Sequence, residues 1–563
     1  MIHQAIFDTS KIISAHGIEA VVLSPGSRNA PLTISFARNQ DLKIYNIVDE
    51  RSAGFIALGI AQKTNKPVVL CCTSGTALLN YAPAIAEAYY QQIPLIVLSA
   101  DRPSEWQDQR DGQTIRQVGA ISNFVVGEYQ MPTPTNEETG WEYTRKLNEA
   151  IGTSQGQKKG PVHINVPFRE PFYPSKDQSL EFSNDLHFIK KILGESKIDI
   201  LRYQTSFAEA RKILIVVGQK AMDAGFDDCL EKLKSKAIVL ADIISNVKNA
   251  DIRLHDHFLA GLNESDMDEL RPDLLITLGK SVISKSLKQY LRTHKAATHW
   301  HIEEKDQLAD TFQSVTEHII FPPELWIKDL TTNKKLISTS ENNEYRSVWE
   351  TLESKTRSSF NSVKESWEFS EYVAFDYLLN ALPAGIDLHL ANSMPVRYAN
   401  LLGNALPNIE VFCNRGTSGI DGTNGTAVGN ALSSNKTTFL LTGDLSFFYD
   451  RNAFFHDYDL SNLKIVIFNN QGGGIFRLIN GPSSLPELPK HFETQHQRTA
   501  RLTAEEFGFS YQMVDDESEL PEVINRISQS GKPEILEIMT NPETNERVYK
   551  QTKVKMNELL SRG

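Results

Sequence analysis

TTFLLTGDLSFFYDRNAF (residues 437–454) and, one apolar run later, KIVIFNNQGGG (464–474) decide how this chain is built. The first begins as a β-rich apolar run, ends in Thr442-Gly443-Asp444 and leads toward a helix. The second ends in Asn469-Asn470-Gln471 and three glycines, Gly472 to Gly474. Apolar runs of this kind are strands of an open parallel sheet, whose ligands sit beyond the carboxyl ends of the strands. Gly443 lets the backbone come close to an anion, and Asp444 neutralises a cation that bridges phosphate oxygens. The Asn470 side-chain oxygen and the Gly472 carbonyl are hard, neutral donors suited to Mg²⁺. Taken singly, each segment reads more readily as a plain turn between strands. On consecutive strands the two read as one metal and diphosphate site.

Working outward, the same rhythm of short apolar strands and helical stretches divides the chain into three. EAVVLS (from Glu19), KIYNIV (Lys43), PVVLCC (Pro67), PLIVLS (Pro94) and PVHINV (Pro161) mark the first region. KILIVVG (Lys212), AIVLAD (Ala237) and DLLITLG (Asp273) mark the second; IDLHLAN (Ile386), IEVFCN (Ile409) and EILEIMT (Glu534) join the opening pair in the third. Polar stretches at 171–185 and from Thr331 read as linkers. The expected fold is α/β: three doubly wound parallel-sheet domains at 1–180, 186–335 and 346–563. No internal repeat is visible, and the strand order is not legible.

At 563 residues the chain is too long for a single core. Its net charge of −12 argues against nucleic acid as a partner, so arginines gathered in its loops read as local anion sites. No apolar run approaches a membrane span, and the N-terminus lacks the pattern of a secretory signal, so a cytoplasmic enzyme without a membrane partner is expected. Cys71, Cys72, Cys229 and Cys413 have no metal-ligand spacing, and adjacent Cys71 and Cys72 would face opposite ways on a strand.

Gly-Asp followed about 25 residues later by Asn-Asn resembles the diphosphate-binding motif of thiamine-diphosphate enzymes. That resemblance implies thiamine diphosphate and Mg²⁺ (or Mn²⁺) as cofactors, with Asp444, Asn470 and the Gly472 carbonyl as metal ligands. Gly443, Leu445 and Ser446 would line the same cofactor. Such enzymes also need a partly desolvated carboxyl group at N1′ of the aminopyrimidine. Glu50, in DERSAGF after KIYNIV, is the best candidate, with Asp49 as its rival; an acidic helix N-terminus favoured by the macrodipole is the plainer reading. Ile420 in NRGTSGIDG would prop the cofactor into its bent shape. Because the two ends of one cofactor usually come from different subunits in this superfamily, a homodimer at least is implied, with a homotetramer left open.

Five segments are more specific: SPGSRNAPL (from Ser24), DERSAGF (Asp49), SADRP (Ser99), NSMPVR (Asn392) and NRGTSGIDG (Asn414). Together they resemble the 2-succinyl-5-enolpyruvyl-6-hydroxy-3-cyclohexene-1-carboxylate synthase family of menaquinone biosynthesis. The family decarboxylates 2-oxoglutarate and adds the resulting carbanion to isochorismate, so several carboxylates need fixed cations. By that resemblance Arg28, Arg102, Arg397 and Arg415 are clamps, Ser27 and Ser393 are hydroxyl donors, and Gln113 lies near the reacting centre. Glu50, Gln113, Arg397 and Arg415 form the implied catalytic set. Lys285 is the cation of the middle domain, and Ile475, Phe476 and Leu478 form an apolar wall. Two departures stand out: Gly112 where the family has Asn, and Ser286 where it commonly has Arg. A long proline-bearing stretch from Arg477 marks a candidate lid. The alternatives are another thiamine-dependent 2-oxoacid decarboxylase, an acetohydroxyacid-synthase-like carboligase, or a binding protein without turnover.

Overall fold

Three parallel sheets, one in each apolar-rich region, organise the computed structural model, which describes residues 2–175, 178–192, 198–332, 343–479 and 481–561. The first contains β1 (Ala20–Leu23), β2 (Lys43–Asn46), β3 (Val68–Cys72), β4 (Leu95–Asp101), β5 (Gly127–Gln130) and β6 (Val162–Pro167). Their order is β2-β1-β3-β4-β6-β5, and every neighbouring pair is parallel. The second contains β7 (Ile213–Val217), β8 (Ala237–Ala241), β9 (Leu274–Leu278), β10 (Thr298–Glu303) and β11 (Glu317–Ile320), ordered β11-β10-β9-β7-β8. The third contains β12 (Asp387–Leu390), β13 (Glu410–Phe412), β14 (Thr438–Gly443), β15 (Leu463–Asn469), β16 (Ser510–Val514) and β17 (Glu534–Met539).

Its order, β13-β12-β14-β15-β17-β16, is that of the first sheet counted from its own first strand. A repeat invisible in the residues is therefore present in the topology. The fold class is the expected one.

Contacts divide the chain differently from the sheets, into two compact units. Met1–Gly194 takes in Asn414–Thr438 and Ser446–Leu463, whereas Glu195–Cys413 is completed by Phe439–Leu445 and Lys464–Gly563. In the second unit one apolar core serves both sheets: Leu214, Leu240 and Leu275 belong to the same buried cluster as Leu388, Leu441 and Val466. In the first unit the helix Glu50–Thr64 packs on the helix Thr423–Ser433. A Cβ on Gly59 would collide with the Thr426 carbonyl, and one on Gly429 with that of Ile56. Glycine at these two positions is what allows the backbones to touch.

Residues 168–175 and 178–192 hold no helix or strand, while most of the second expected linker, 333–342, lies outside the described residues. The four cysteines are free and buried. Among the described residues, no helix is long and apolar enough to cross a membrane.

Candidate active site

The loops that opened the sequence reading lie at adjacent strand ends in the second unit. β14 ends at Gly443, and Asp444 starts the next helix. Asp444 is 2% exposed; its Oδ1 accepts the Leu445 N–H at 2.7 Å and its Oδ2 the Gly472 N–H at 2.9 Å. His496 brings Nε2 to 3.2 Å from the same Oδ2, while its backbone N–H donates to the Gln471 carbonyl at 3.0 Å. Asn470 donates through Nδ2 to Glu371 at 2.5 Å, and its buried Oδ1 has no hydrogen-bond partner. Burial pushes the Glu371 carboxyl up to about 7, with the neighbouring Asp444 adding to the rise. A Cβ on Gly472 would press on the Glu493 carbonyl, which also accepts the Gly473 N–H at 2.7 Å. The stretch considered as a lid thus folds back on the loop of Asn470 to Gly474 through Glu493 and His496, and Arg477 pairs with Glu493.

A cavity of about 530 Å³ opens in the same unit. Its walls include Lys285, Ser286, Arg397, Ile475 and Leu478, so five residues singled out from the sequence meet around one space. Ser393 precedes the helix Met394–Leu402 with φ of 73°, and its carbonyl accepts from the Arg397 guanidinium. Phe476 packs against Phe492 and is not among the cavity's walls. Lys553, on the C-terminal helix Pro542–Ser561, stands on the cavity wall and makes no ion pair among the described residues.

The remaining candidates lie in the first unit, some after strands of its own sheet and others on the loops that follow β13 and β14. Asp49 caps the helix after β2 by accepting the Ser52 N–H at 3.2 Å and also accepts from Asn452 at 2.8 Å. Glu50, the first helical residue, is half-buried and makes no hydrogen bond or ion pair among the described residues. Of the two neighbouring acids, only Glu50 keeps its carboxyl uncommitted.

Arg28 is buried, donates to the Phe168 carbonyl at 3.0 Å and lies over the Phe172 ring. Burial, and secondarily Arg102, lower its proton affinity, so two expected clamps are near enough to repel. Arg102 pairs with Asp111 at 3.0 Å and donates to the Gly112 carbonyl at 2.7 Å. That second contact is to backbone and needs no side chain at 112. Ser27 and Gln113 are exposed, Gln113 with φ of 54°; Arg415 is half-buried and Ile420 is 41% exposed. Ser446 donates its hydroxyl to the Ile420 carbonyl at 2.6 Å.

Residues 6–120 match the family model described as thiamine pyrophosphate enzyme, N-terminal TPP binding domain, and residues 194–388 match the middle domain of thiamine pyrophosphate enzymes. The 2-succinyl-5-enolpyruvyl-6-hydroxy-3-cyclohexene-1-carboxylate synthase of Cytophaga hutchinsonii is 43% identical, with 98% of each chain covered. Synthases of the same name from Flavobacterium johnsoniae (40%; 96% of this chain, 97% of the relative) and Bacteroides fragilis (38%; 96% of each) also align. This chain belongs to the 2-succinyl-5-enolpyruvyl-6-hydroxy-3-cyclohexene-1-carboxylate synthase family.

It is therefore a thiamine-diphosphate-dependent enzyme. The chain's own residues fit the diphosphate end and its metal: an orphaned buried amide oxygen, a buried carboxylate and a glycine carbonyl are hard oxygen donors. Among the described residues there is no cluster of three or more His, Cys, Asp or Glu able to hold a metal, so carboxylate, amide and carbonyl donors carry the fit.

Three contributors escaped the sequence reading. Glu371 holds the Asn470 amide, and His496 backs Asp444. Glu87 is 1% exposed and accepts the Gly416 N–H at 2.7 Å and both the Thr417 N–H and hydroxyl at 2.6 Å, so it tethers the loop of Arg415 and Ile420. None has a local motif; each is an acid or histidine in an ordinary helical or loop context far along the chain from what it holds.

Proposed function

We propose that this enzyme decarboxylates 2-oxoglutarate and joins the remaining four-carbon unit to isochorismate by conjugate addition. The products are 2-succinyl-5-enolpyruvyl-6-hydroxy-3-cyclohexene-1-carboxylate and CO₂, in the cytoplasm as a step of menaquinone biosynthesis. The observation that carries the reading is one cavity that combines Lys285 and Arg397 with the apolar Ile475 and Leu478, five and eight residues after Asn470. Two cations on an apolar wall suit a substrate that pairs carboxylates with a hydrocarbon ring.

Bound thiamine diphosphate supplies the electron sink that decarboxylation of a 2-oxoacid requires. Asp444, Asn470 and the Gly472 carbonyl would hold Mg²⁺ (or Mn²⁺), and Gly443, Leu445 and Ser446 would line the diphosphate. Glu50 shares its proton with N1′ of the aminopyrimidine, a role that requires a carboxyl free of internal partners. Ile420 props the cofactor. Arg28, Arg102, Arg397 and Arg415 bind substrate carboxylates, with Ser27, Ser393, Gln113 and Phe476 completing the contacts. Lys553 compensates for Ser286, where the family commonly has arginine. The domains are aminopyrimidine-binding (1–180), central (186–335) and diphosphate-binding (346–563), and the assembly is a homodimer at least.

The test is CO₂ release from 2-oxoglutarate by purified enzyme with thiamine diphosphate and Mg²⁺, with and without isochorismate. Release that isochorismate enhances, with formation of the coupled product, is the expected result. Turnover of pyruvate but not 2-oxoglutarate would overturn it.

A further inference from the structure

An asparagine offers a cation one useful end. Its oxygen binds metal and its NH₂ group does not, so the amide must be held the right way round. In this structure the hold on Asn470 comes from Glu371, whose Oε1 accepts the Asn470 Nδ2 at 2.5 Å. With the nitrogen engaged, Oδ1 is the end left buried and unpaired.

Glu371 is itself firmly placed. It is 4% exposed and opens the helix Glu371–Ala381. Its backbone N–H donates to Asn545 Oδ1 at 2.9 Å, and Asn545 in turn donates to the Thr540 hydroxyl at 2.9 Å, just beyond β17. No ion pair engages the Glu371 carboxyl among the described residues.

We propose that Glu371 is a positioning residue for the metal: its carboxyl orients the Asn470 amide so that Oδ1 faces the cation. The proposal rests on Asn470 as a metal ligand and adds the residue that makes it one. A group one step removed from a metal acts through the geometry and basicity of the ligand that it holds. The sequence is silent here because Glu371 precedes Asn470 by almost a hundred positions.

The experiment is calorimetric titration of the cofactor-free enzyme with thiamine diphosphate over a series of Mg²⁺ concentrations. Glu371→Leu removes the acceptor, and the Mg²⁺ needed for half-maximal binding rises about 10–100-fold. Glu371→Gln keeps an acceptor oxygen and stays near wild type. A swap provides the second arm, independent of how Glu371→Leu folds. Asn470→Asp sets a carboxylate against Glu371 and weakens binding; adding Glu371→Gln restores it, because the new amide donates to the new carboxylate.

Wild-type binding by a folded Glu371→Leu, or a double variant no better than Asn470→Asp alone, would overturn the proposal. Asp444→Ala and Asn470→Ala separate it from the reading beneath. If both bind cofactor normally, the metal site itself is wrong; if both fail while Glu371→Leu binds normally, only the role of Glu371 falls.

Discussion

The first and third sheets have the same strand order, so their loops can be compared position by position. After the second strand, the first sheet presents Asp49 and Glu50, and the third presents Asn414, Arg415 and Gly416. After the third strand, the first has Thr73-Ser74-Gly75, and the third has the acid Asp444. After the fourth, Arg102 stands where the third sheet has Asn470. One scaffold therefore carries two chemistries, and the difference lies wholly in the loops.

The two acids differ in kind as well as place. Asp444 is buried and engaged by the Leu445 and Gly472 amides, with His496 Nε2 close by, as the proposed role of a fixed metal ligand requires. Glu50 is half-buried and uncommitted, as a group that exchanges a proton with a ring nitrogen has to be.

The contrast is broken most easily at its strongest point. Asp444→Ala is expected to abolish thiamine diphosphate binding in Mg²⁺, read by calorimetry; a variant that still binds makes the two acids equivalent and the contrast empty. Glu50→Gln is expected to lower kcat by about 10²–10⁴-fold, the usual range for a proton-transfer group, with cofactor affinity almost unchanged. Full turnover by that variant removes Glu50 from the chemistry.

Arg397→Ala comes next. Loss of a charge-assisted hydrogen bond costs roughly 1.5–3 kcal/mol, so substrate KM should rise about 10–100-fold while cofactor binding holds. Unchanged steady-state kinetics would take the cavity out of substrate binding.

The smallest effect concerns a buried acid outside both roles. Asp450 accepts the Gly425 N–H at 2.8 Å, and burial raises its carboxyl to about 7 from 3.8. The folded state then binds more protons than the unfolded one between those values. This stabilising contribution is complete below about pH 4 and is lost as pH rises through about 7, by at most about 1.4 kcal/mol per pH unit. Urea unfolding at pH 5 and pH 8 should show a larger loss of stability in wild type than in Asp450→Asn; equal losses would mean that burial alone does not set this acid.

Strands such as β3, β4, β7, β9 and β15 were legible because parallel strands buried on both faces must be apolar along their length. β5, β11 and β16 were not: partly buried at sheet edges, they mix polar and apolar residues (GEYQ, EHII, SYQMV) and lack the apolar run that still marked β2, an edge strand as well. β10 is interior, but it buries His299 and His301, which share the Thr277 hydroxyl at 2.9 and 2.8 Å. Apolar pattern alone cannot announce such a strand.

Local order along the chain was enough to determine the α/β class, the three sheets and the two loops around Asp444 and Asn470, because strand burial and turn chemistry are written in neighbouring residues. Tertiary structure alone decided that the outer sheets share a strand order, that Gly59 and Gly429 bring two helices into backbone contact, and that Glu371 and Glu87 hold the loops carrying the candidate ligands and clamps. Those contacts join residues tens to hundreds of positions apart, and a hydrogen bond across such a separation leaves no periodicity in the sequence that makes it.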